Sequence, residues 1–414
     1  MDRGDDSTNH LVKNPWQNVL SWLLAIGLFI QISGKVWIES GSARNTQVYL
    51  WLLLPALILI VTKLMSRRKP EFSWHYIPWL LFLAWVSIST LWATGSETGA
   101  FSLAKRGALI ALYILAIYSL ISCNERFFQK SLMTGVAVVS AGALATIIYQ
   151  LFFLDQPLAY RAFRLDRLGI GDFADYGWPV AAGIFHGAIA TWALGFALDR
   201  RTRFNQALVW LSVFVILSAY VLLTYTRGAW IALLFGVAAV VVLQNSRRGW
   251  ISLAVGAVVL LLLVVYFWTK IVFEFQQRQL SGREPIWIYY FQEMVGHWLI
   301  GHGLGTPFQY HWPDGKSVSP HAHSLYLQQV YDSGIVSIML FGTGLLGLCH
   351  KAWRFRSNYW VRLAFPALVF ALIAMLTDVE RIFTRPGDYW TVFWLPVAVL
   401  LSVPSRACKA KKTL

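Results

Sequence analysis

The stretch Pro320-His321-Ala322-His323-Ser324-Leu325-Tyr326-Leu327-Gln328-Gln329 closes the longest polar segment of the chain and opens an apolar run that reaches Leu348. Two histidines therefore stand where a water-exposed loop becomes a membrane helix. An imidazole in such a place can take the proton of an incoming hydroxyl. Beside His323, the residues Ser324, Gln328 and Asp332 recur at i, i+4 and i+8. Polar groups carried on into an apolar helix point to a wet cavity.

Arginines supply the complementary chemistry. Arg227 lies in Thr224-Tyr225-Thr226-Arg227-Gly228-Ala229-Trp230, between two apolar runs with almost no loop, and Gly228 leaves room for a ligand to approach the backbone. Arg283 lies in Ser281-Gly282-Arg283-Glu284-Pro285-Ile286-Trp287, one helical turn ahead of Trp287, and caps a helix expected to lie along the membrane surface. A guanidinium keeps its charge and binds phosphate bidentately. Arg161, Arg164 and Arg167, at spacing three, would line one side of a short helix. For Arg161, Arg381 and Arg385, snorkelling to lipid headgroups is an equally good account. Several arginines and a histidine at one mouth of a membrane bundle suit a lipid-linked pyrophosphate and an acceptor hydroxyl.

Two other patterns carry less. Gly301-x-Gly303-x-Gly305 follows no strand, and Pro307 stands where a helix should open, so it reads as a turn and not a dinucleotide loop. His302, His311, His321, His323 and Asp314 could be arranged around zinc, but there is no His-Glu-x-x-His and no cysteine among them. No metal or other cofactor is expected.

The elements that must position these residues are membrane helices. The chain of 414 residues is 57% hydrophobic and only 13% charged, with 21 tryptophans. Apolar runs fill residues 16–33, 47–65, 74–93, 104–122, 131–153, 178–198, 206–225, 228–243, 250–268, 322–349, 359–377 and 389–404. The expectation is an all-α polytopic membrane protein of about twelve transmembrane helices. Residues 1–15 form a cytoplasmic leader, 16–404 a single transmembrane domain, and 405–414 a basic cytoplasmic tail; the first apolar run has no small-residue cleavage site and is retained. A large periplasmic segment, 269–321, separates helices 9 and 10.

Arg67-Arg68-Lys69, Arg200-Arg201-Thr202-Arg203, Arg247-Arg248, the Lys351–Arg362 group and the basic tail fall on the side of the N-terminus, which makes that side cytoplasmic. The net charge of +15 resides there, so the basic balance is a topology signal and implies no nucleic acid. Cys123, Cys349 and Cys408 fall on the same side, which leaves no cysteine for a periplasmic or extracellular disulfide.

In order and spacing, Thr224–Trp230, Ser281-Gly282-Arg283 with Trp287, Gly301-x-Gly303-x-Gly305, and His323-Ser324-Leu325-Tyr326-Leu327-Gln328 followed by Gly334 resemble the bacterial O-antigen ligase family. Its wider superfamily includes O-antigen polymerases and protein O-oligosaccharyltransferases. The pattern covers about the C-terminal half; the first five helices match only in being hydrophobic. Where the family has His-Asn, this chain has His323-Ser324. The resemblance implies an enzyme of the bacterial inner membrane with its active site on the periplasmic face. Its partners would be an undecaprenyl-pyrophosphate-linked glycan donor, a lipid A–core acceptor and membrane lipids. It also implies His323 as general base, Arg227 and Arg283 on the pyrophosphate with Arg167 a further candidate, and no need for metal or nucleotide. The alternatives are a polymerase or protein ligase of the same superfamily and, from another class, a secondary transporter.

Overall fold

The computed structural model describes residues 15–65, 73–278 and 282–404; the leader up to residue 14, Arg67-Arg68-Lys69, Ser281 and the tail 405–414 with Cys408 lie outside the described residues. A bilayer offers the backbone no hydrogen-bond partner, so apolar runs of this length satisfy their peptide groups internally, as helices. The described part is an all-α polytopic membrane protein. Its only strand pairing among the described residues is β1 (Tyr310–His311) antiparallel to β2 (Val318–Ser319). Nine of its helices are long and apolar enough to cross a membrane, and two more, Tyr359–Ala374 and Trp390–Ser402, are apolar but shorter.

The N-terminal half is α1 (Pro15–Trp37), then α2 (Gly41–Val48) running through a π-turn into α3 (Leu54–Met65), α4 (Ile77–Ile88) and the long α5 (Ala100–Ile148). Residues 123–130, expected as a loop between two spans, are helical instead. Within α5 the direction changes at Asn124 alone (φ −154°, ψ 83°). Its side-chain oxygen accepts from Phe127 N–H at 3.3 Å, which caps the second half of α5.

The C-terminal half holds α6 (Pro179–Leu198), α7 (Phe204–Leu223), α8 (Arg227–Gln244), α9 (Arg247–Tyr266), α10 (Trp268–Arg278), α11 (Arg283–Glu293), α12 (Leu325–Arg354), α13 (Tyr359–Ala374) and α14 (Leu395–Ser402). Helix α6 is the axis, packed against α7, α8 and α13. Its small residues allow this: a Cβ at Gly187 or Gly195 would come within 2.5 Å of Phe370 or 2.6 Å of Leu363 on α13. On the other flank Trp79 of α4 meets Phe341 of α12 and Trp394 edge-on, each at 5.8 Å, and clamps those helices together.

Helix α12 is broken at Gly334 (φ 71°, ψ −179°), a conformation only glycine adopts readily. The segment 298–302 fills the break. Ile335 N–H donates to Trp298 C=O at 2.8 Å, and His302 N–H to Tyr331 C=O at 2.7 Å. Gly301, Gly303 and Gly305 all have positive φ, and a Cβ at Gly301 would stand 2.6 Å from the Gly334 nitrogen. The glycine run is thus a tight wedge that locks the first turns of α12 in place.

Candidate active site

Helix α11 begins at Arg283, after Gly282 in the left-handed region, and one turn later presents Trp287. Both side chains hold segments distant in the chain. Trp287 Nε1 donates to the Ala322 carbonyl at 3.0 Å, and Arg283 Nη2 reaches both Asp378 carboxylate oxygens at 2.5 Å. Asp378 in turn faces His323: its Oδ1 lies 3.3 Å from His323 Nδ1. The motif histidine and the motif arginine therefore meet through a carboxylate contributed by the turn after α13.

His323 itself has φ 51° and Asp378 φ 65°, both unusual for non-glycine residues. The two backbones hold each other there. Asp378 N–H donates to the His323 carbonyl at 2.9 Å, and His323 N–H donates to His321 Nδ1 at 3.1 Å. His323 Nε2 lies 2.9 Å from Ser319 Oγ on β2. With the Nδ1 hydrogen assigned to the Asp378 bond, Nε2 is left as a base carrying a hydroxyl on its lone pair. The His323 side chain keeps 30% of its surface exposed, so a second hydroxyl can reach it.

The electrostatics agree with this assignment. Burial would raise the Asp378 carboxyl, but the hydrogen bond from His323 and the Arg283 guanidinium outweigh it and hold the group below the usual carboxylate range. His321 is pushed down to about 4 by burial, with the neighbouring His323 acting in the same direction. A neutral His321 can accept the His323 N–H.

The polar stripe along α12 is not a wet cavity. Gln328 accepts from Ala322 N–H at 3.0 Å and donates to Asp332 Oδ1 at 3.0 Å. Asp332, 2% exposed, then receives Arg381 Nε at 2.5 Å and Nη2 at 3.0 Å, and Arg381 also pairs with Glu380. These groups satisfy one another because a buried carboxylate without a partner would be costly. The network ties the backbone of the histidine loop to the turn that carries Asp378.

The remaining arginines have different surroundings. Arg227 is the first residue of α8, and the adjoining Gly228 explains its corner. A Cβ there would lie 2.5 Å from Thr377 Oγ1, one residue before Asp378. Gly228 thus serves close packing of α8 on the Asp378 turn, and the space read from the sequence as room for a ligand is filled by Thr377. The loop between α5 and α6 is irregular through 154–178, so no short helix aligns its arginines. Arg164 reaches the α7–α8 turn, donating to Thr224 C=O at 2.8 Å and to Thr226 Oγ1 at 3.1 Å. Arg167 stays local, at 2.9 Å from Asp166 and 3.5 Å from Asp175. The histidines do not converge either: His302 Nε2 lies 3.1 Å from Glu293 C=O, and no metal-sized group of three His, Cys, Asp or Glu occurs among the described residues.

Asp378 is the residue that sequence reasoning passed over. Its signal was there, an acid at the end of an apolar helix where ionisable groups are expensive.

An α-helical membrane bundle with a histidine–carboxylate–arginine group at one end defines the class: a polytopic membrane protein with side chains capable of acid–base chemistry at that end. The family model described as O-antigen ligase matches residues 212–342, which include Arg227, Arg283 and His323 but not Asp378. The chain is also 24% identical over 383 residues to an O-antigen ligase of Pseudomonas aeruginosa strain PAO1, covering 92% of this chain and 90% of that protein. The chain is thus similar to O-antigen ligases, through the family model over residues 212–342 and through this relative over most of its length.

Proposed function

We propose that this chain transfers a glycan from undecaprenyl pyrophosphate to a sugar hydroxyl of lipid A–core, completing lipopolysaccharide at the periplasmic face of the bacterial inner membrane. The observation that carries the reading is His323 held between Asp378 on Nδ1 and a hydroxyl, that of Ser319, on Nε2. The serine hydroxyl occupies the place that an acceptor hydroxyl needs.

In the proposed step the acceptor displaces Ser319 from Nε2. Its oxygen attacks the anomeric carbon and its proton passes to Nε2 as the new C–O bond forms. The bond from that carbon to the pyrophosphate breaks, and the electron pair leaves on the phosphate oxygen. Arg227 and Arg283 stabilise that charge without having to reorganise. The anionic Asp378 stabilises the imidazolium, which later releases its proton to the departing pyrophosphate or to water. Direct displacement would invert an α-linked donor to a β product. As the resemblance to O-antigen ligases implies, the reaction is proposed to need neither metal nor nucleotide. Arg167, engaged by Asp166 and Asp175, is the least committed member of the proposed pyrophosphate set.

Sidedness follows from charge and length. Helix α12 has 30 residues, about 45 Å at 1.5 Å each, which places Lys351 and Arg354 in its last turn far from His323. With positive charge inside, the His323 end is periplasmic and both termini are cytoplasmic. The nine long helices, two shorter ones and the break in α5 fit about twelve crossings.

Reconstitution with purified lipid-linked glycan and lipid A–core tests the reading. Ligated product is expected, and EDTA should leave the yield unchanged. Glycan polymerised on its own carrier, with none on lipid A–core, would overturn the assignment in favour of a polymerase.

A further inference from the structure

The turn between α13 and α14 does more than carry Asp378. A few residues on, it walls one side of an open cavity of about 450 Å³, whose other wall is the start of α5 with the preceding loop. Arg106 and Arg385 both line it, together with Thr98, Thr384 and Asp388. The one carboxylate, Asp388, is already matched by Lys35 at 2.6 Å. Two guanidinium groups thus face one cavity with no unmatched carboxylate on its lining.

The polar atoms of the wall are arranged for something absent from the chain itself. Arg106 Nε and Thr384 Oγ1 are buried, and neither has a hydrogen-bond partner among the described residues. Arg106 Nη1 makes only a long contact, 3.5 Å, to Phe383 C=O, and Arg385 Nη2 lies 3.3 Å from Ser102 Oγ. Buried donors of this kind cost stability unless a partner is supplied. Phe101, next in the chain to the Ser102 that Arg385 contacts, is 82% exposed, an apolar surface suited to an acyl chain. The volume exceeds that of a lone phosphate and accommodates a headgroup.

We propose that the Arg106–Arg385 cavity binds the phosphate of an anionic lipid headgroup, as a site separate from His323. Arg106 and Arg385 grip the phosphate oxygens and Thr384 donates its hydroxyl, while an acyl chain lies along Phe101. The phosphate can come from a bilayer phospholipid or from the acceptor glycolipid. The second source rests on the proposed ligase reading, and the first does not.

The test measures lipid retained on the full-length protein, by native mass spectrometry after reconstitution in phosphatidylcholine doped with phosphatidylglycerol. It is run in a His323→Ala background, so that failure of the transferase reading leaves the measurement intact. Arg385→Gln and Arg106→Gln are each expected to lower retention of the anionic lipid about tenfold relative to phosphatidylcholine. Lys105→Gln, an exposed cation beside but outside the cavity, should not. Arg385 is itself exposed, so its variant should fold even if Arg106→Gln does not. Competition by lipid A–core but not by its dephosphorylated form would place the acceptor in the cavity. Retention of phosphatidylglycerol without such competition would make it a phospholipid site. If Arg385→Gln and Arg106→Gln fold and hold anionic lipid as tightly as the parent, the proposal is wrong.

Discussion

The corner around His323 and the loop 154–178 set arginine against carboxylate in opposite ways. At the corner, Arg283–Asp378 and Arg381–Asp332 join residues 95 and 49 positions apart, with little exposure. In the loop, Arg167 pairs with its neighbour Asp166 and leaves 48% of its side chain in solvent. Exposed local pairs contribute almost nothing to stability, whereas breaking a buried pair strands a charge. The family resemblance put Arg283 on the pyrophosphate with Arg167 a further candidate. Only Arg283 is wired to the histidine.

Substitutions sharpen that contrast, and the largest effect is expected at His323. His323→Ala should lower single-turnover ligation by about 10²–10⁴-fold and leave donor binding nearly intact. Donor binding lost along with turnover would remove the support for a general base. Asp332→Ala removes the buried partner of Arg381, leaving it only the more exposed Glu380, and should cost up to about 3–5 kcal/mol in reversible unfolding, read as a lowered denaturation midpoint in detergent. An unchanged midpoint would mean that water replaces the carboxylate.

Asp378→Asn should lower the ligation rate up to about 10²-fold, less than loss of the base, with the acceptor KM little changed. Arg283→Ala should weaken donor binding and rate together, and Arg283→Lys should restore neither fully, because a point charge lacks the bidentate fork. Full recovery by lysine would argue against phosphate or carboxylate geometry at this position.

His321 gives a pH test. Its value falls from 6.5 unfolded to about 4 folded, so the unfolded chain binds more protons between those limits. Stability from this group is fully present above about 6.5 and is lost as pH falls towards 4. Thermal unfolding of the parent should show that slope and His321→Gln should flatten it; identical pH profiles would exclude the assignment. The smallest effect belongs to Arg167→Ala, whose exposed pair should alter ligation by less than about threefold. A tenfold loss would instead bring the 154–178 loop onto the donor pyrophosphate.

Much of this was legible in the chain. Long apolar runs can only be helices in a bilayer, so the class and the approximate spans follow from composition and length. The polar-to-apolar switch at His323 and the turn-long spacing of Arg283 and Trp287 are local patterns, and local patterns survive into structure. Burial did not follow from the same data. In α6, 89% of the membrane-length window is buried, against 6% in α9, although α9 is the more apolar. Lipid tails and protein interior are alike to an apolar side chain, so hydropathy cannot say which a helix faces. The Asp378–His323–Arg283 contact, the filling of the Gly228 corner by Thr377 and the split of the loop arginines depend on residues far apart in sequence. Helix packing alone brings them to one place, and that is what the tertiary structure decided.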